Sequence, residues 1–223
     1  MLFRSEYLND AESKRAGQYL LPARRHLYEE NAPASMAYTL FEGWLLVYRS
    51  HSDGGRQGLR VALPGDFIGY VPPGEERIHH SVVAITDSVL CGFRQPDLHG
   101  MLDIHPGLAS QITRIQAGYM ASCQSAMLGL GRKSAEQRIC YFIAELLFRL
   151  RNRKQIAADS LEMPFPLTQE MLGDLTGLTP VHTNRVLRRL RADDVFRANR
   201  QSLEIHDLPR LLEIGEFRNT RIE

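Results

Sequence analysis

Residues 167–191, LTQEMLGDLTGLTPVHTNRVLRRLR, constrain this chain more than any other stretch. Two short helical patterns meet at a glycine, and the second is loaded with arginine. Thr168 opens the first as an N-cap whose hydroxyl can accept an orphan backbone N–H. Met171, Leu172 and Leu175 then fall on one face. Gly173 is small where the second helix must come close, and Gly177 gives a tight interhelical turn the backbone freedom it needs. Thr179 starts the second helix as N-cap, with Pro180 at the first helical position, where a missing N–H costs nothing. Val186, Leu187 and Leu190 can pack inward, leaving Val181, His182, Asn184, Arg185, Arg188 and Arg189 outward. The pattern predicts a helix-turn-helix with its recognition helix over 180–191.

A plain αα-hairpin with a solvated arginine face is the simpler reading, and charge argues against it. Residues 177–200 hold six arginines against Asp193 and Asp194, whereas the whole chain is only +1. A nearly neutral protein with one positive helix is built to meet a polyanion at one place.

With 223 residues and 43% hydrophobic content, the chain has room for one large or two ordinary domains. No apolar run approaches the ~20 residues that span a bilayer, and the polar N-terminus lacks the apolar core of a signal peptide. A cytoplasmic protein with no membrane partner is expected. Cys91, Cys123 and Cys140 are scattered and lack CxxC spacing, so neither a disulfide framework nor a metal or iron–sulfur site is expected from them.

From 18 to 94 the texture is short β-leaning runs: YLL, HLY, AYTLF, WLLVY, LRVAL, SVVAI and VLCGF. Turn chemistry separates them at Glu42-Gly43, Ser52-Asp53-Gly54-Gly55, Pro64-Gly65-Asp66 and Pro72-Pro73-Gly74. This predicts a compact antiparallel roll or barrel. From 107 to 132 the period turns helical. Leu108, Ile112, Ile115 and Tyr119 step as a heptad seam that drifts to Cys123, Met127 and Leu130. Such a stripe is ordinary core or a homodimer seam. Ser134 and Gln137 form a capping box for a further helix burying Ala135, Ile139, Phe142, Ile143, Leu146 and Leu150. Residues 155–163 read as a loop. VFRANRQSLEI reads as a hairpin wing, and Asp207 caps a last helix.

This order resembles the cyclic-AMP receptor protein/fumarate-nitrate regulator (Crp/Fnr) family of transcription factors. The likeness rests on EGW at 42–44, DGGRQ at 53–57, LPGDFIG at 63–69, LGRKSAEQRI at 130–139, PLTQEMLGDLTGLTPVHTNRVL at 166–187 and LEIHDLPRL at 203–211. It implies an α+β chain: an N-terminal antiparallel, jelly-roll-like β-roll sensor over 1–106, a dimerisation helix over 107–132 and a winged helix-turn-helix over 133–223. It implies a homodimer on a near-palindromic site in double-stranded DNA, with RNA polymerase as a protein partner. Arg185 matches the family arginine that reads guanine through O6 and N7. Asn184 matches a variable base-contacting position. Val181 stands where many members carry a glutamate; it can touch a thymine methyl but accepts no hydrogen bond. Thr168, Gln169, Thr179 and the backbone N–H groups nearby are candidates for phosphate contact, aided by Arg188 and Arg189, and Pro180 and His182 complete the DNA-binding set.

The resemblance also implies an effector pocket between roll and long helix, to which Gly65, Asp66, Ile68, Gly69, Arg77, Ser81, Cys123 and Gln124 would contribute. The family's cyclic-AMP site uses an Arg-Ser pair and a glutamate. Here Ile78 and His79 fall at the pair and Tyr70 near the glutamate, which argues against conventional cyclic AMP; a register slip would let Arg77 compensate. The family's N-terminal cysteine group is absent, which argues against an iron–sulfur cluster. Haem stays open, with His26, His79, His80, His99 or His105 as axial ligands. Control by abundance alone stays open too, so the cofactor is unassigned. A competing class is a small-molecule or nucleotide sensor acting on a protein partner. An enzyme on a β-roll would need an HxH…E…H ligand set, a nucleophile elbow or a carboxylate pair, and none is present.

Overall fold

The structure, a computed structural model, describes residues 8–218. After α1 (Leu8–Lys14) come eight strands: β1 (Arg15–Leu21), β2 (His26–Tyr28), β3 (Met36–Glu42), β4 (Leu45–Ser50), β5 (Arg56–Ala62), β6 (Phe67–Ile68), β7 (Ser81–Ala84) and β8 (Ser88–Arg94). They form two antiparallel sheets in the orders β1-β8-β3-β6 and β2-β7-β4-β5. Side chains alternate along a strand, so Tyr38 and Leu40 of β3 and Leu45 and Val47 of β4 turn into one core with Ile68, Val82, Ala84 and Leu90.

Two helices follow, α2 (Gln95–Ile104) and α3 (Pro106–Arg132). They cover the roll through a second core in which Leu98, Met101, Leu108 and Ile112 meet Ala11, Ala37, Phe67 and Phe93. This corrects the first half of the seam read from the sequence. Leu108 is 0% and Ile112 3% exposed within the protomer's own core, Ile115 packs against that core, and the Tyr119 hydroxyl bonds to Asp66 and Phe67. The stripe that covers a sheet has the same step as a coiled-coil seam, so spacing alone could not separate the two. Cys123 is half-buried. The large apolar residues that α3 leaves exposed are Met120, Met127, Leu128 and Leu130.

The chain divides into two compact units, Met1–Gln124 and Ser125–Glu223, with the boundary inside α3. In the second unit Ser134 and Gln137 close the expected capping box at the start of α4 (Ala135–Asn152). Its buried face is broader than expected, since Cys140, Ala144 and Leu147 join Ile139, Ile143, Leu146 and Leu150 while Phe142 is only half-buried. Then come β9 (Glu162–Pro164), α5 (Gln169–Thr176), α6 (Pro180–Ala192), β10 (Phe196–Ala198), β11 (Ser202–Ile205) and α7 (Leu208–Gly215). The wing is therefore three-stranded, in the order β10-β11-β9. The end of the stretch read as a loop supplies its third strand, pairing Met163 with Leu203.

Candidate nucleic-acid interface

The pair α5–α6 is set by local chemistry that the sequence announces. Thr168 Oγ1 accepts from Met171 N at 3.1 Å, and Thr179 Oγ1 accepts from His182 N at 3.3 Å. Gly177 ends α5 at φ 64°, ψ 42°, a left-handed conformation that a Cβ would strain. Gly173 is required for a different reason. A Cβ built there would lie 2.6 Å from the Leu178 carbonyl oxygen and 3.2 Å from Thr183 Oγ1, so the close approach is to the turn and α6 together. The inward face of α5 is Leu172, Gly173 and Thr176, with Met171 and Leu175 half-buried.

On α6 the buried residues are Thr183, Val186 and Leu190, and Leu187 is half-buried. Thr183 hides its hydroxyl by donating to Thr179 O at 3.0 Å. At about 100° per residue, the face opposite carries Val181, Arg185 and Arg188, all exposed. Val181 is 81% exposed, so nothing in the protomer explains its apolar side chain. Among the described residues, Arg185 and Arg188 have no hydrogen bond or ion pair from their side chains. Arg189, on the flank, lies 3.8 Å from Glu136 and 3.9 Å from Asp193. His182 and Asn184 are half-exposed, and Pro180 is exposed at the first helical position. Pro180 has no N–H, so the backbone donors at this helix start begin after it. Asn184 Nδ2 donates to Gln169 Oε1 at 2.8 Å, which ties the two helices together at their outer edge.

One residue outside the expected set also shapes this surface. Arg138 of α4 donates from Nη1 to Thr176 O at 2.8 Å and Gly177 O at 3.3 Å. A guanidinium there satisfies carbonyls that the end of α5 leaves open and suits the negative end of its dipole. It lies within the LGRKSAEQRI block, but nothing in that block's spacing points to the turn nearly forty residues on.

Of the residues expected to make a pocket, Asp66, Ile68, Ser81 and Arg77 have other engagements in the roll. Asp66 is 1% exposed; its Oδ2 accepts from Leu63 N at 2.8 Å, closing the β5–β6 turn, and its Oδ1 accepts from Tyr119 Oη at 3.0 Å. Ile68 lies in the core between the sheets. Ser81 Oγ accepts from Glu30 N at 2.9 Å. Arg77 is exposed and donates to Asn31 O at 2.7 Å. Gly65 and Gly69 hold left-handed turns at φ 92° and 78°, and Gln124 is exposed. A polar cluster foreseen only in part, through Asp66, occupies the roll instead. Arg60 lies 3.4 Å from Asp66 Oδ2 and 3.9 Å over the Tyr119 ring. Burial, reinforced by the Asp66 charge, pushes the Tyr119 hydroxyl up to about 12.

The histidines considered as axial ligands have partners in the protomer. His26 meets Tyr48 Oη at 2.8 Å, His80 meets Tyr28 Oη at 2.9 Å, His99 meets Val71 O at 2.9 Å and His105 meets Asp10 at 3.0 Å. His79 lies 3.5 Å from Glu75. Among the described residues no group of three or more His, Cys, Asp or Glu side chains could hold a metal ion. None of the described helices is long and apolar enough to cross a membrane.

Comparison with known proteins is consistent along the chain. Residues 137–214 match the Crp-like helix-turn-helix domain family, and residues 20–105 match the cyclic nucleotide-binding domain family. The transcriptional activator protein FnrL of Cereibacter sphaeroides is 30% identical over 175 residues, 77% of this chain and 69% of that protein. The nitrogen fixation regulation protein FixK of Bradyrhizobium diazoefficiens is 28% identical over 164 residues, 74% of this chain and 67% of that protein. Among solved structures, FixK2 from Bradyrhizobium japonicum superposes with a TM-score of 0.77 at 26% identity, covering 89% of this chain and 96% of that one.

Proposed function

The chain belongs to the Crp/Fnr family of transcription regulators, and from that premise we propose how its surface reads an operator. Like its family, it is a sequence-specific DNA-binding regulator that works as a homodimer. In our reading α6 lies in the major groove. Arg185 meets a guanine through O6 and N7, and Val181 meets a thymine methyl. Thr168, Thr179, the N–H groups of the first turn of α6 and Arg188 hold phosphates. The observation that carries this reading is the outward stripe of Val181, Arg185 and Arg188 opposite buried Thr183, Val186 and Leu190. An apolar side chain and two uncompensated cations share one exposed face, a poor arrangement for water and a good one for a groove.

The division of labour follows. Residues 1–106 sense, 107–132 join two protomers through the apolar residues that α3 leaves exposed, and 133–223 bind DNA. A change in the roll reaches α3 through Tyr119, which is bonded to Asp66 and Phe67 in the β5–β6 turn. RNA polymerase is the protein partner through which binding alters transcription.

Bind-and-sequence selection from a random duplex library tests the reading, using the full chain with and without cyclic nucleotides and haem. The expected product is a near-palindrome with guanine-containing half-sites about one helical turn apart. No enrichment from a folded dimer in any condition would overturn it.

A further inference from the structure

Asn184 and Gln169 come from different helices, yet Asn184 Nδ2 donates to Gln169 Oε1 at 2.8 Å. Gln169 is exposed and Asn184 half-exposed, so the bond serves no core. We propose that Gln169 is a positioning residue for Asn184, and that Asn184, so held, reads an adenine in an operator column separate from the guanine of Arg185. The proposal rests on the DNA-binding reading above.

A carboxamide has one acceptor oxygen and two N–H donors. In the major groove adenine presents N7 as acceptor and N6–H as donor, which one N–H and the oxygen of an asparagine match together. The bond to Gln169 takes one N–H of Asn184 and leaves the second N–H with Oδ1, the pair adenine requires. It also couples the orientation of the Asn184 amide to that of Gln169. Turning the amide over would exchange its donor and acceptor edges, and the tie to Gln169 opposes that turn. Guanine offers acceptors at both N7 and O6, so Oδ1 would face another acceptor and the base would be rejected. Asn184 stands about 100° around the helix from Arg185, which directs the two side chains to different bases. Gln169 was read from the sequence as a phosphate contact; the bond gives it a role exerted through its neighbour.

Operator selection with the full-length wild type, Asn184→Ala, Gln169→Ala and Gln169→Glu tests both parts. Wild type should show an adenine column in which any other base weakens binding about tenfold. Asn184→Ala should flatten that column alone and keep the guanine column. Gln169→Ala should weaken the same column while leaving the salt dependence of binding unchanged. Gln169→Glu keeps an acceptor for Asn184 and should retain the column, with affinity reduced evenly on every sequence by the added negative charge. Intact columns in Asn184→Ala would overturn the adenine reading. If Gln169→Ala instead lowers affinity equally on all sequences and reduces the salt slope, it is a phosphate contact and the positioning role fails. Failure of the wild type to select any operator would overturn this proposal together with the function it rests on.

Discussion

Arg60 and Arg185 carry the same guanidinium into opposite settings, one inside the roll and one on the recognition helix. Arg60 is 13% exposed, with Asp66 at 3.4 Å and the Tyr119 ring under it. Arg185 is exposed and, among the described residues, bonds to nothing. A buried cation must bring its counter-charge with it. An exposed one need not, and its five donors then stay available to a partner that supplies the acceptors. The same logic sorts two neighbours on α6: among the described residues Arg188 is unpaired, whereas Arg189 already has Glu136 and Asp193 nearby.

The comparison breaks most severely at Asp66. Asp66→Ala leaves Arg60 buried without its carboxylate and takes an acceptor from Leu63 N and Tyr119 Oη. Removing one partner of a buried pair costs about 3–5 kcal/mol, so urea unfolding should show a loss of that size. A loss under about 1 kcal/mol would mean that Arg60 reaches water and behaves like a surface arginine.

Arg185→Ala should have the reverse profile. Folding should change by less than about 0.5 kcal/mol, the usual limit for a surface substitution. Operator binding should lose about 1–3 kcal/mol per half-site, measured as the affinity ratio between the selected operator and a scrambled duplex. An equal loss on both duplexes would place Arg185 on phosphate rather than on a base.

Which of these settings was legible in the sequence depends on how far apart the partners lie. The helix-turn-helix was readable because caps, glycines and arginines sit within twenty-five residues and act locally. The roll was readable as a class, because its runs alternate between turn signals, but β6 is only Phe67–Ile68, too short to show a period. The third wing strand was missed because Glu162–Pro164 is made a strand by β11, some forty residues on. The first half of the seam was misassigned because Leu108 and Ile112 have one spacing for two uses. Arg60, Asp66 and Tyr119 come from a strand, a turn and a helix, and no motif spacing ties them together. The Asn184–Gln169 pair was half legible: both residues were singled out, but not as partners.

Histidine repeats the contrast at smaller amplitude. In the roll, His80 is held by Tyr28 at 2.9 Å, and burial, aided by the Arg60 charge, lowers it from 6.5 to about 4. At the base of the wing, His206 Nδ1 lies 2.6 Å from Asp194 with Glu204 at 3.5 Å, and the bond to Asp194 raises its pKa. The signs are opposite. The stability linked to His80 is complete above pH 6.5 and falls as the unfolded chain, but not the folded roll, takes up a proton. The stability linked to His206 is complete below 6.5 and fades as pH rises through its raised value. Going from neutrality to about pH 5.5 should therefore cost the roll about 1.2 kcal/mol through His80, while the wing keeps its fastening. Hydrogen exchange resolved by unit should show the roll opening first on acidification. His80→Gln keeps a partner for Tyr28 without the titration, and it should remove that part of the acid sensitivity. An unchanged acid profile in His80→Gln would show that the imidazole already takes up its proton in the folded roll, and that burial beside Arg60 does not hold it neutral there.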